Sequence, residues 1–323
     1  RVGMMLCSPA GNDLLYDDSL PEQGRNFANK IWNAFRLVKS WKIDDSISQP
    51  ESSAEAVLWM NEVLKKSIAE IDSNFRKFRI SEALMNSYKL FWDEFSSWYL
   101  EIIKPEYRKP VDRITYEATV TIFDSLVRII HPFMPFITEE IWQMISERMD
   151  GESIMISPMP KARKYDRELL ARFETARETV TSIRSVRKEK QIPARDQIGL
   201  LIRKESESFN SGFLSVIIKL CNLSEVRFVS EKPGNSASFM IGTTEYYVPL
   251  GNVIDAKAEK ARISAELSYQ KGFLDTVMKK LGNERFVENA PQAVIDVERK
   301  KKADAESRIK SLEEALRELE PGS

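Results

Sequence analysis

Between Pro21 and about Asp150, apolar residues recur at helical rather than strand spacing, in runs over roughly 22–42, 52–74, 78–102, 110–130 and 138–149. Side chains three and four positions apart share a helix face, so each run predicts an amphipathic helix with one stripe to bury. Pro50, Pro105, Pro110, Pro132 and Pro135 punctuate the runs, where a missing amide breaks or starts a helix. Trp41, Trp59, Trp92, Trp98 and Trp142 give the helices large surfaces for packing. The most economical fold for 21–150 is an antiparallel helix bundle.

After Asp150-Gly151 the pattern changes. Ile154-Met155-Ile156 is a short strand candidate, and Tyr165 to Lys190 predicts a long basic helix. Gln197–Arg203 and Glu225–Val229 are rich in Ile, Leu, Val and Phe and predict strands, with a helix from Phe213 to Leu220 between them. Phe239–Ile241 and Tyr246–Leu250 add a possible hairpin around Gly242. Residues 151–252 therefore predict a small α/β domain of undetermined topology.

The last segment, 253–320, carries a heptad seam. Ile263, Leu267, Gln270, Leu274, Val277 and Leu281 follow gaps of 4, 3, 4, 3 and 4, and Ile309, Leu312, Leu316 and Leu319 follow 3, 4 and 3. Gly282-Asn283 can end the first helix and Asn289-Ala290-Pro291 can start the second. Two arms of roughly 29 residues, each about 43 Å at the helical rise, predict an antiparallel two-helix coiled coil that protrudes as a lever. The chain is thus expected to be mainly α, with a bundle, a small α/β connector and a coiled-coil arm. Residues 1–20, with the turn-rich Pro9-Ala10-Gly11-Asn12-Asp13, predict a connector leading into the bundle.

Charge matters through its distribution. The 323 residues are near neutral overall (−1), yet residues 1–150 hold 18 Lys and Arg against 23 Asp and Glu, whereas 161–204 hold 13 against 6. Arg172, Arg177, Arg184, Arg187, Lys188 and Lys190 make that second segment a candidate phosphate-facing helix, although a solvated connector helix has the same composition. Cys7 and Cys221 are too few and too far apart for a disulfide framework or a four-ligand zinc site, which suits a reducing cytosol. No run approaches the ~18 apolar residues that a membrane span needs. The chain starts with Arg, and Val2–Leu6 reads like the inside of a domain, so a part of a longer protein is expected.

Catalysis finds little support. His131 is the sole histidine and precedes Pro132, a setting that orders a loop. Glu139-Glu140 sit where a helix amino terminus after Thr138 favours carboxylates, a structural role. No phosphate-cradling glycine loop, nucleophile motif or cysteine–histidine cluster is present. Recognition chemistry is better represented. On the opening helix Arg25, Asn29, Asn33 and Arg36 fall on one stripe with Trp32 at its edge, while Phe27, Ile31, Ala34 and Val38 fall opposite. Guanidinium and carboxamide groups read base edges and aromatic rings stack on bases, but a solvated helix face shows the same pattern.

Three segments carry a resemblance. Gly24–Arg36 resembles the helix that opens the anticodon-binding bundle of class I aminoacyl-tRNA synthetases, in particular the valyl-tRNA synthetases. Leu126–Trp142, containing His131-Pro132-Phe133-Met134-Pro135-Phe136-Ile137-Thr138-Glu139-Glu140-Ile141-Trp142, is similar to a later segment of that bundle, and Val253–Leu319 to the family's carboxy-terminal arm. The resemblance implies a valine-specific tRNA as partner, a cytoplasmic monomer, anticodon contacts at Arg25, Asn29, Asn33 and Arg36, and elbow contacts at Lys279, Lys280, Arg285, Lys301 and Lys302. It also implies that ATP and Mg²⁺ act in a catalytic domain, because the family's His-Ile-Gly-His-like and Lys-Met-Ser-Lys-Ser-like motifs do not occur in this chain. An isoleucyl enzyme is a rival, though it commonly shows a terminal zinc-binding cysteine set, missing here. A coiled-coil scaffold without RNA is the other.

Overall fold

A computed structural model describes residues 1–6, 17, 19–203, 212–250 and 256–282, and on the returning arm 295–299, 301–303, 305–306, 309 and 312–313, with arm side chains described from 264 onward. The Pro9–Asp13 turn, Asn289–Pro291, Arg285, Leu316 and Leu319 lie outside the described residues. The chain divides into two compact units. One holds 1–189, 193–233 and 237–249; the other holds 190–192, 234–236 and 250–323.

The first unit begins with a short helix, α1 (Val2–Leu6), laid against α2 (Ser19–Lys39). Two glycines permit the approach: a Cβ on Gly3 would lie 1.6 Å from the Leu20 carbonyl oxygen, and one on Gly24 would lie 3.0 Å from the Gly3 nitrogen. Two-residue strands β1 (Ile43–Asp44) and β2 (Val111–Asp112) pair in parallel, Ile43 with Val111, and tie the end of α2 to the later helices. Helix α3 (Glu51–Arg76) follows, then α4 (Ile80–Lys89), which continues as a π-helical segment, Leu90–Tyr99, into α5 (Leu100–Ile103). The wider turn is visible at Ser97, whose hydroxyl donates to the Trp92 carbonyl five residues back (2.8 Å). Helices α6 (Arg113–Ile130) and α7 (Pro135–Ile145) complete the bundle.

Its core is aromatic. Phe91 and Phe95 meet Phe123 at 5.8 and 5.2 Å in edge-to-face arrangements, and Phe27 and Phe35 of α2 reach the same cluster. One polar thread runs through it. Tyr99 donates to the Thr119 hydroxyl (2.8 Å), Thr119 to the Thr115 carbonyl (2.7 Å), and Asp112 caps the Thr115 amide (2.7 Å). Burial holds the Tyr99 phenol far above its usual range, so it stays a donor.

Ile154–Ile156 is a single 3-10 turn rather than a strand. Only Ile154 is buried, Met155 and Ile156 are about four-fifths exposed, and the Ser153 side chain caps the turn. Three apolar residues in a row cannot alternate, and Glu139 takes the Ser153 hydroxyl (2.7 Å) and the Ile154 amide (3.4 Å) that a strand neighbour would have used. Helix α8 (Arg167–Glu189) then leads to β3 (Ile198–Arg203), α9 (Leu214–Cys221), β4 (Leu223–Val229), β5 (Ser236–Ile241) and β6 (Thr244–Pro249). The sheet order is β4-β3-β6-β5, with β3 parallel to β4 and antiparallel to β6, and Gly242 (φ +56°) turns β5 into β6.

Bundle and α/β region are joined along one face of α3. Trp59 stacks on Phe173 of α8 at 3.8 Å. Glu62 accepts the Asp166 amide (2.8 Å) at the start of α8, while Asp166 caps Glu168 and Leu169. Glu55 accepts the Phe213 amide (3.0 Å) and the Ser215 hydroxyl at the start of α9. Positions 55, 59 and 62 are four and three apart, one helical stripe.

The second unit contains α10 (Ala256–Leu281) and helical residues 295–299 and 301–303. On α10 the seam positions Leu267, Gln270, Leu274, Val277 and Leu281 are buried or half-buried, as is the neighbouring Glu266. On the return, Ile295, Glu298, Lys302, Ala305, Ile309 and Leu312 are likewise buried or half-buried, at gaps of 3, 4, 3, 4 and 3. Lys271 pairs with Glu313 (2.7 Å), and Lys280 acts electrostatically on Glu298. Partner numbers thus rise as α10 numbers fall, which makes the hairpin antiparallel.

Two outcomes test this account of the first unit. Trp59→Ala should lower stability by about 3–5 kcal/mol in denaturant unfolding, because Trp59 is fully buried against Phe173. His131 gives a pH signature: its Nδ1 donates to the Thr138 hydroxyl (2.8 Å), and burial holds its pKa below 6.5. The unfolded chain therefore binds the proton more readily, so stability should fall as pH drops from about 7 to 5, and His131→Gln should flatten that slope.

Candidate nucleic-acid interface

Helix α2 is locked from below. Phe27 and Ile31 are fully buried, and Leu20, Ala34, Phe35 and Val38 are nearly so. The opposite stripe faces water: Arg25, Asn29, Asn33 and Arg36 are all exposed. Arg25 holds Glu22 in a 3.3 Å pair between two largely exposed side chains, the kind of contact that yields readily. The side chains of Asn29, Asn33 and Arg36 make no hydrogen bond or ion pair among the described residues. Lys39 donates to the Met144 carbonyl (3.1 Å), and Trp32 is half-buried against Phe35 at 5.6 Å.

The structure adds residues that sequence spacing does not connect to this face. Lys30 lies over the Trp92 ring (5.2 Å), Trp92 stacks on Tyr88 (5.3 Å), and Tyr88 meets Phe27 (4.8 Å). Because Lys30, Tyr88 and Trp92 belong to two helices about sixty residues apart in sequence, only tertiary packing assembles them. A groove of about 430 Å³ lies where α1, α2 and the start of α7 converge, lined by Gly3, Gly24, Arg25, Phe133 and Phe136.

The basic helix α8 resolves into two kinds of cation. Arg177 sits between Trp98 (5.0 Å) and Trp59 (5.8 Å) and pairs with Glu94. Arg187 is buried and donates to the carbonyls of Pro193 (2.8 Å), Asp196 (2.9 Å) and Cys221 (2.7 Å). Neither is available to a phosphate, which corrects that expectation for these two; packing has claimed the guanidinium groups. Arg184 and Lys188 are exposed.

On the arm, Lys279 and Lys280 are exposed in the last turn of α10, and Lys279 pairs with Asp275 (2.7 Å). Lys301 pairs with Glu298 (2.8 Å), and that hydrogen bond, aided by Lys280, holds the Glu298 carboxyl below its usual range. Lys302 is half-buried on the seam and lies 3.7 Å from Glu306. Among the described residues no cluster of His, Cys, Asp or Glu could hold a metal ion, and no helix is long and apolar enough to cross a membrane.

His131 and Glu139 serve the fold. The Thr138 hydroxyl donates to the Met134 carbonyl (2.7 Å), which leaves it free to accept from His131. Burial alone would raise the Glu139 carboxyl, but hydrogen bonds from Ser153, Gln143 and Ile154 outweigh it and lower the pKa.

Residues 58–202 match the family described as anticodon-binding domain of tRNA ligase, and residues 255–320 match the valyl tRNA synthetase tRNA binding arm. The chain belongs to the valyl-tRNA synthetase family. A valine–tRNA ligase of Parabacteroides distasonis is 55% identical over 320 residues, covering 99% of this chain. That of Phocaeicola vulgatus is 52% identical over 319 residues, and that of Thermotoga maritima 31% over 324, each again covering 99% of the chain. The chain spans only about a third of these relatives, 36% of the first two and 37% of the third. A family profile of this kind marks a segment, whereas the stripe on α2 and the paired lysines of the arm are properties of this chain.

Arg187→Ala should lower stability by about 3 kcal/mol, since three carbonyls lose a charged donor. Arg184→Ala, at an exposed position of the same helix, should change stability by less than about 0.5 kcal/mol. Urea unfolding of the two variants side by side checks the division.

Proposed function

We propose that this chain is the tRNA-recognising part of a valine–tRNA ligase, with α2 reading the anticodon and the coiled-coil arm bracing the folded corner of the tRNA. The observation that carries this reading is the exposed polar stripe of α2 above a fully packed apolar face, with Asn29, Asn33 and Arg36 unpaired among the described residues and Arg25 held only by the exposed Glu22. The family membership supports tRNA as the ligand of that stripe. Arg25, Asn29, Asn33 and Arg36 contact base edges, which confer specificity, while phosphate contacts set register. Lys279, Lys280, Arg285, Lys301 and Lys302 supply the arm's contacts to the elbow. The domain division 1–20, 21–150, 151–252 and 253–320 follows the same roles.

The whole enzyme makes valyl-adenylate from valine and ATP and transfers the valyl group to the tRNA 3′ end. ATP and Mg²⁺ serve that catalytic part; this chain acts without a cofactor, as a cytoplasmic monomer. Its contribution is positioning, which converts an encounter into an oriented complex.

Filter binding with valine-specific tRNA and an anticodon-altered transcript tests the reading. Arg25→Ala or Arg36→Ala should cut the preference for the cognate tRNA about tenfold, as expected for one base-edge contact; unchanged discrimination in both would refute the assignment. A chain ending at Leu250 should keep its unfolding transition yet bind tRNA more weakly, with a smaller dependence on salt.

A further inference from the structure

The turn between α3 and α4 displays a phenylalanine for which the fold has no use. Helix α3 closes with the Phe78 amide donating to the Phe75 carbonyl (3.0 Å) and the Arg79 amide to the Asn74 carbonyl (2.9 Å). This pair of bonds requires a left-handed residue just past the helix end, a position glycine usually fills. Here it is Phe78, with φ 59°. Side chains of L residues reach that region only with strain, so an aromatic one needs a reason. Phe213 shares the conformation (φ 65°), but its ring is 4% exposed and meets Phe173 at 5.0 Å. Phe78 is 85% exposed, and burial returns nothing there.

Its surroundings are cationic. Arg76, Lys77 and Arg79 are exposed on either side; Arg76 pairs with Asp72 (3.0 Å), while Lys77 and Arg79 have no side-chain partner among the described residues. The turn also lies at the Arg25 end of the bundle. Phe75, one residue inside the helix end, stacks on Phe133 (5.9 Å), and Phe133 lines the same groove as Arg25. An exposed ring between free cations suits a polyanion with flat faces: the ring offers a stacking surface and the cations neutralise phosphates.

We propose that Phe78 is a stacking platform for an unpaired base of the bound RNA, with Lys77 and Arg79 holding the adjoining phosphates. The inference rests on the reading that this chain binds tRNA. The left-handed backbone then has a purpose, since it projects the ring beyond the end of α3 instead of folding it back on the helix. A protein partner would favour an apolar surround, and the run from Arg76 to Arg79 supplies three cations around one ring.

The test uses substitutions with opposite effects on folding and binding, measured on the full 323-residue chain. Phe78→Gly removes both ring and strain, so it should raise Tm by about 2–4 °C. The same change should weaken binding of a valine-specific tRNA transcript by about tenfold. Phe78→Trp should bind within about twofold of the unsubstituted chain, and Lys77→Ala with Arg79→Ala should reduce the slope of log affinity against log salt by about 1–2. Full affinity in Phe78→Gly, or equal loss in Phe78→Trp, overturns the platform while leaving the tRNA-binding reading intact. If the unsubstituted chain binds no tRNA, the wider reading and this proposal fall together.

Discussion

The joint between α3 and the two helices that follow the bundle governs the first unit. Trp59 stacks flat on Phe173, and Glu55 and Glu62, on the same stripe, take amides at the starts of α9 and α8. A helix start leaves amides unsatisfied and carries positive potential, so a carboxylate there is held by both hydrogen bond and field. Glu62 is buried, with Lys65 beside it (2.5 Å). Removing Lys65 would leave the buried Glu62 without its cation, a larger penalty than breaking a surface pair. The bundle and the α/β region consequently hold one geometry, because three neighbouring side chains of one helix must all be satisfied together.

The recognition surface depends on a second consequence of packing. Helix α2 can leave Asn29, Asn33 and Arg36 facing water only because Phe27, Ile31 and Phe35 anchor it from the opposite side in the aromatic cluster around Phe91 and Phe123. Polar groups free of internal partners give up only water and rotamer freedom when a ligand engages them, whereas Arg177 and Arg187 would have to abandon contacts the fold needs. Cations in one protein thus divide by what they already hold. Sequence composition counts them alike.

That division marks where the amino-acid sequence was legible. The bundle, its approximate helix limits, the arm and the α2 stripe follow from apolar periodicity, which reports directly on which face is buried. The π-helical segment over Leu90–Tyr99 escapes such reading, since its apolar positions remain compatible with an ordinary helix. Ile154–Ile156 misleads because composition favours a strand where Glu139 and Ser153 impose a turn. The seam of the returning arm is half hidden: Glu298 and Lys302 occupy core positions, and a polar residue breaks the apolar pattern by which a heptad is recognised. The place of Lys30 over Trp92 could be found only from three dimensions, because it lies about sixty residues from the Tyr88–Trp92 pair.

The arm's charges follow the same logic. Lys301 is tied to Glu298, a seam carboxylate whose pKa is lowered chiefly by that hydrogen bond, and Lys302 is itself half-buried on the seam. Withdrawing Lys301 toward a phosphate would leave Glu298 facing the apolar interior of the hairpin. Lys279 holds only the exposed Asp275, a contact that water and salt can replace. The cations best placed to leave their partners therefore lie in the last turn of α10. Lys301 and Lys302 pair with Glu298 and Glu306 along their own helix, whereas Lys271 reaches across the hairpin to Glu313.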